Sequence, residues 1–164
     1  MFYTIAQLNQ MSQEAFVAAL GAVFEHTPAI AYRTWDRRPF ADVTQLHQQM
    51  VAVVNAMSRE EQLALIQAHP DLGSKAKMVE ASVKEQAGVG LDRLTPEEYD
   101  RFQAFNREYK DKFGFPFIVA VRNHTKTSIL EAYERRLRNS ADGEMQEAIA
   151  QITQIAQFRL LDLI

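Results

Sequence analysis

An imidazole and a carboxylate stand two residues apart in His69-Pro70-Asp71-Leu72-Gly73, at a break between two helical patterns. Pro70 stops the helix arriving through Leu63 and Ile66 and pushes His69 out of the right-handed helical region. Restrained at that corner, His69 can aim at a ligand while staying outside regular packing, and loops on rigid scaffolds are where catalytic groups concentrate. With an ordinary pKa near ~6.5, an imidazole can take and return a proton around neutral pH. A plain reading also exists, in which His69 closes the helix against its dipole and Asp71 caps the next segment.

Two further sets of residues resist a pure packing account. Ser82, Glu85 and Gln86 stand at i, i+3 and i+4, so a helix puts a hydroxyl, a carboxylate and an amide on one face. That set suits a small polar heterocycle with donors and acceptors, although solvated helix faces look similar. Gly88 and Gly90 follow, either as a helix stop or as a place for close ligand approach. In the last helix Met145, Ile149, Ile152, Ala156 and Leu163 form one stripe at 100° per residue, and Arg159 falls within it. A guanidinium on the core side needs an internal carboxylate or an anionic ligand, unless it snorkels out near the chain end.

No metal motif appears. His26, His47, His69 and His124 are scattered, none paired with another at ligand spacing, and the chain has no cysteine. Gly88-Val89-Gly90 lacks the rest of a Rossmann or Walker signature, and no Gly-x-Ser-x-Gly surrounds Ser74 or Ser82. Cofactor-free chemistry is the economical expectation.

The elements that must position these residues read as helices. Ser12 caps a helix carrying Phe16, Ala19, Leu20, Val23 and Phe24, expected to run to about His26. Thr27-Pro28 reads as a cap with proline at the first helical position, opening a short helix through Tyr32 and Trp35. Asp42 or Thr44 starts a third helix with Leu46, Met50, Val53, Val54 and Met57. The capping box Ser58 to Glu61 starts the helix that delivers His69. A polar helix over residues 75 to 88 carries Met78, Val79 and Val83. Thr95-Pro96-Glu97-Glu98 opens the best-signalled helix, with Tyr99, Phe102, Phe105, Asn106, Tyr109 and Phe113, ended by Gly114. Phe115 to Val121 is an apolar run whose proline and β-branched residues favour a buried extended stretch. Helices from Thr125 or Thr127 and from near Ala141 complete the chain. The expected fold is all-α: one domain over residues 1–164, a bundle of about seven or eight helices with one short extended segment.

At 164 residues the chain suits one domain with one core, and 47% hydrophobic residues with 6 Gly and 5 Pro describe a globular protein. The net charge of −3 removes the electrostatic footprint of a nucleic-acid binder. No window holds ~18 consecutive apolar residues, no basic segment precedes an apolar run at the N-terminus, and the chain ends without Ser-Lys-Leu. A cytoplasmic protein with no membrane partner is the expectation. A different class of function, a helical module binding a partner through the Phe102, Phe105 and Tyr109 face, has less support, since aromatic stripes at helical spacing usually pack inward.

In order and separation, His69-Pro70-Asp71-Leu72-Gly73, Ser82-x-x-Glu85-Gln86-x-Gly88-x-Gly90-Leu91 and Phe115-Pro116-Phe117-Ile118 resemble the 2-oxo-4-hydroxy-4-carboxy-5-ureidoimidazoline (OHCU) decarboxylase family. Trp35-x-x-Arg38-Pro39-Phe40 and Arg159 agree, so the resemblance spans nearly the whole chain. It implies an all-helical homodimer that needs no cofactor and acts on a small molecule in the last step from urate to (S)-allantoin. It also implies that His69 is the acid/base residue, that Ser82, Glu85 and Gln86 bind or orient the substrate, and that Arg159 takes an anionic or carbonyl edge. Glu85 would fix the imidazole tautomer or a substrate nitrogen. Pro70 and the backbone of Phe117, Ile118, Val119, Ala120 and Val121 would line the rest. A related cofactor-free lyase acting on another heterocyclic acid is the nearest alternative.

Overall fold

The structure, a computed structural model, describes residues 2–74 and 80–164. Among the described residues are nine α-helices, two 3-10 turns and no strand, so the all-α expectation holds. The start of the polar helix read over 75–88, with Met78 and Val79, lies outside the described residues. The chain forms two compact units, Met1–Leu65 with Thr153–Ile164, and Ile66–Ile152.

The first unit holds α1 (Ile5–Gln10), α2 (Gln13–Leu20), α3 (Ala29–Thr34), α4 (Val43–Ala56), most of α5 (Arg59–Gln67) and the end of α9 (Ala141–Leu163). Ser12 and Asp42 cap α2 and α4, accepting from the amides of Ala15 and Gln45, and the Ser58–Glu61 box opens α5. Three expectations need correction. Helix α1, with its Thr4–Gln7 capping box, is additional, and only Leu8 of it is buried. Helix α2 ends at Leu20, not near His26. Val23 and Phe24 are still 2% exposed, so apolar spacing persists after the helix stops at Gly21, where glycine's backbone entropy disfavours its continuation. Thr27 does not cap α3, because its hydroxyl donates to the Glu25 carbonyl at 2.8 Å and the residue before α3 is Pro28.

The Trp35-x-x-Arg38-Pro39-Phe40 motif is a clasp within this unit. The Arg38 guanidinium lies 3.9 Å over the Trp35 ring and donates to the carbonyls of Trp35, Asn9 and Met11. The Asn9 amide closes on both backbone groups of Phe40. Orphan carbonyls at the ends of α1 and α3 are thereby satisfied.

The second unit holds α6 (Glu80–Gly88), α7 (Pro96–Phe113), α8 (Lys126–Arg136) and the first part of α9. Capping boxes Thr95–Glu98 and Thr125–Ser128 open α7 and α8, and Gly114 at φ 80° ends α7 in the left-handed conformation. Residues 114–120 have no regular secondary structure, and Phe115–Val121 are buried throughout, as expected of the apolar run. The ring of Phe117 stacks on Tyr133 with centroids 3.8 Å apart and meets Tyr109 edge-on. Phe102 and Tyr109 are fully buried and Phe105 stacks on Tyr133, so this aromatic face is core. A partner-binding groove on it is excluded.

Candidate active site

Helix α5 stops where proline forbids it to continue, and the residues after it form a tight turn. The His69 amide donates to the Ile66 carbonyl at 3.2 Å, and the Ser74 amide to the Asp71 carbonyl at 3.3 Å. Between them Gly73 takes φ +69°, a conformation that costs a residue with a Cβ about 1–2 kcal/mol. The Asp71 carboxylate receives the Lys110 ammonium at 3.0 Å. His69 and Pro70 lie on the wall of an open cleft of about 420 Å³, completed by Gln67, Asp71, Lys110, Gly114, Phe115 and Pro116. That volume is within the range of roughly 300–1,000 Å³ usual for small-molecule sites.

Helix α6 presents the trio as its spacing predicts. Ser82 and Gln86 are 6% and 7% exposed, and the Glu85 side chain is 8% exposed. Gln86 reaches the His69 turn, its Oε1 accepting from the Gly73 amide at 3.1 Å. The Glu85 carboxylate stands 3.9 Å from the Arg122 guanidinium, at the ion-pair limit. Arg122 directly follows the Phe117–Val121 stretch, so this pair ties the α6 face to that stretch. Arg122 is not among the residues that motif and spacing single out, and its signal in the sequence is that of a lone cation closing an apolar run.

The Phe117–Val121 backbone is held by side chains in place of a sheet. Arg136 Nη1 donates to the Ile118 carbonyl at 2.6 Å, and the Ala120 amide donates to Gln151 Oε1 at 2.9 Å. Arg136 is itself 3% exposed and pairs through Nε with Glu144 at 2.8 Å. Glu144 also accepts from the Tyr109 hydroxyl at 2.6 Å and from Asn139 Nδ2 at 2.9 Å. Burial first, and then the bond to Glu144, push the Tyr109 hydroxyl far above the phenol range, so it stays a donor. A carboxylate with no exposure thus has three donors, one of them cationic, which is what makes a buried charge tolerable. This network was not anticipated. Its signal lay in the stripe Ile129, Tyr133 and Arg136, which puts a guanidinium on the core side of α8 just as Arg159 stands on that of α9.

Arg159 belongs to the first unit. Its Nη2 lies 3.2 Å from Glu25 Oε1 and its Nη1 donates to the Val23 carbonyl at 3.1 Å. Of the two partners its position demanded, the internal carboxylate is present. His69, Pro70, Ser82, Glu85, Gln86 and residues 117–121 all fall in the second unit. Among the described residues no group of three His, Asp or Glu side chains could hold a metal ion. No described helix is long and apolar enough to cross a membrane.

An all-helical scaffold with a histidine on the wall of a cleft of this size has the form of a small-molecule enzyme, although Ser82, Glu85, Gln86 and residues 117–121 are not among the residues that line this cleft. The chain belongs to the OHCU decarboxylase family, whose model matches residues 9–161. It is 44% identical over 160 residues to a 2-oxo-4-hydroxy-4-carboxy-5-ureidoimidazoline decarboxylase of Halalkalicoccus jeotgali, covering 98% of this chain and 91% of that one. It is 44% identical over 162 residues to the uric acid degradation bifunctional protein PucL of Bacillus subtilis, covering 99% of this chain and 33% of that longer protein. A crystal structure of (S)-allantoin synthase aligns with a TM-score of 0.80 at 31% identity, over 99% of this chain and 54% of the other.

Proposed function

We propose that the chain decarboxylates 2-oxo-4-hydroxy-4-carboxy-5-ureidoimidazoline to (S)-allantoin with His69 as the acid/base residue. The observation that carries this reading is the placement of His69 on the cleft wall, at the Pro70 bend, in a chain of this family. The bond from the ring carbon to the carboxylate breaks, and its electron pair moves into the adjacent C=N, whose nitrogen takes a proton. The enol that remains gives up its hydroxyl proton to become a carbonyl, and the carbon bearing the ureido group gains a proton. The substrate's own C=N accepts the electrons, so orientation and proton movement are left to the protein. An imidazole held on one side of the ring returns that proton to one face, and one enantiomer results.

Glu85 fixes the imidazole tautomer or a substrate nitrogen, while Ser82 and Gln86 hold the ring's polar edge. Pro70 and the backbone from Phe117 to Val121 line the remainder, and Arg159 takes an anionic edge. Support for the roles of the α6 trio comes from its burial and from the contact of Gln86 with the His69 turn, and the role of Arg159 rests on the family resemblance. A homodimer in the cytoplasm completes the reading, resting on the family resemblance, and sedimentation of the purified chain tests the dimer. Supplying urate with urate oxidase and hydroxyisourate hydrolase generates the substrate in place. Added enzyme should then give a circular dichroism signal of (S)-allantoin, and racemic product at the spontaneous rate would refute the assignment.

A further inference from the structure

The Leu72–Gly73 peptide is gripped on both of its polar sides. Its oxygen accepts from Asn106 Nδ2 at 3.0 Å, and its N–H donates to Gln86 Oε1 at 3.1 Å. A peptide oxygen only accepts and a peptide N–H only donates, so the peptide dictates which way each side-chain amide is turned. The remaining oxygen of Asn106 accepts from the Tyr133 hydroxyl. Burial raises that hydroxyl well above the phenol range, so it remains protonated and keeps donating. Asn106 is 3% exposed and Tyr133 not at all. In such surroundings each bond of the chain restrains the next, and a missing one is costly.

Two helices therefore hold one peptide directly, and a third backs one of them. Gln86 comes from α6, Asn106 from α7 and Tyr133 from α8. The peptide begins three residues after His69, in a turn closed between Asp71 and Ser74 and tethered by Lys110. Pro70 fixes one torsion and the clamp fixes the peptide at Leu72, so the short backbone between the imidazole and the clamp is restrained at both ends.

We propose that Asn106, backed by Tyr133, is a positioning residue for the decarboxylation, holding the turn so that the His69 imidazole meets one face of the reacting carbon. This rests on the acid/base role of His69 proposed above. Packing alone predicts that changes at Asn106 lower stability and nothing else. Positioning predicts a loss of turnover and of product chirality per folded molecule, with substrate affinity largely kept.

The test compares Asn106→Leu, Tyr133→Phe and the double variant with the parent chain, in the coupled urate system and normalised to folded enzyme. Product chirality is extrapolated to high enzyme concentration, where the spontaneous reaction contributes nothing. Asn106→Leu is expected to lower kcat by roughly 10- to 100-fold with KM within about 3-fold, and to lower the enantiomeric excess. Tyr133→Phe should lower kcat by about 3-fold or more, and the double variant should be no slower than Asn106→Leu, because Tyr133 acts through Asn106. Unchanged kcat and chirality, or effects of the two changes that multiply, would overturn the proposal. If Asn106→Leu does not fold, Tyr133→Phe decides by itself, since it removes a single oxygen. His69→Asn runs in parallel: full activity there removes the acid/base reading, whereas an inactive His69→Asn beside a normal Tyr133→Phe removes only the positioning role.

Discussion

Arg159 and Glu25, 134 residues apart in the chain, meet at 3.2 Å with side chains 4% and 0% exposed. Removing one member leaves the other charge buried without its counter-ion, so Glu25→Met should cost about 3–5 kcal/mol in urea unfolding. The double change Glu25→Met with Arg159→Met should recover most of that loss. If Arg159 also takes an anionic edge of the substrate, the double variant regains stability and not kcat/KM. Full recovery of both would assign Arg159 to packing alone.

The Arg136–Glu144 pair makes a second stability prediction. Tyr109→Phe removes one of three donors to a buried carboxylate and should cost about 1.5–3 kcal/mol, the usual worth of a hydrogen bond to a charged group. Glu144→Gln should cost more, because its amide nitrogen is turned against a donor and the Arg136 charge loses its partner. Urea midpoints in the reverse order would contradict the network.

These buried partners show where the sequence stops being legible. Caps at Ser12, Asp42, Ser58, Thr95 and Thr125 were readable because each is a local exchange between a hydroxyl or carboxylate and an amide three residues on. Asp42 even separates itself from Thr44 once its bond to the Gln45 amide is seen. Arg159 was recognisable as a misfit from its stripe, yet Glu25, its counter-ion, lies in a turn whose shape no periodicity records. Asn106 looked like one more position on an aromatic helix face, and its importance depends on a carbonyl 34 residues earlier. The candidate site divides in the same way. Residue types and spacing pointed to His69 and the α6 trio; Arg122 and Arg136 left a pattern in the sequence without naming their partners, and Lys110 became visible only through Asp71.

Gly73 and Gly114 both sit at positive φ but differ in their surroundings. A Cβ on Gly114 would meet nothing within 4 Å, so Gly114→Ala carries only the conformational penalty of about 1–2 kcal/mol. A Cβ on Gly73 would lie 2.9 Å from Leu94 Cδ1, and that side chain must shift as well. Gly73→Ala should therefore be the less stable of the two in thermal melts. Equal melting temperatures would contradict the contact with Leu94.

His124 gives the fold a pH dependence. Burial, and then the charges of Arg135 and Arg136, hold its imidazole below the usual range. The unfolded chain accordingly takes up the proton first as pH falls. The stability contributed by neutral His124 is complete above the ordinary value of about 6.5 and is lost as pH drops below it toward the depressed folded value. His124→Gln should lose less stability than the parent chain between about pH 7.5 and about pH 5.5. The same loss in both would show that this imidazole does not titrate between the two states.

The central claim is that the imidazole at the Pro70 bend moves the proton that makes the product chiral. Circular dichroism of the product formed from urate by the coupled enzymes, with His69→Asn in place of the parent chain, tests it most directly. With helical content shown to be unchanged, the account predicts that the (S)-allantoin signal fails to rise above that of the spontaneous reaction. An (S)-allantoin signal growing at the parent rate would contradict it.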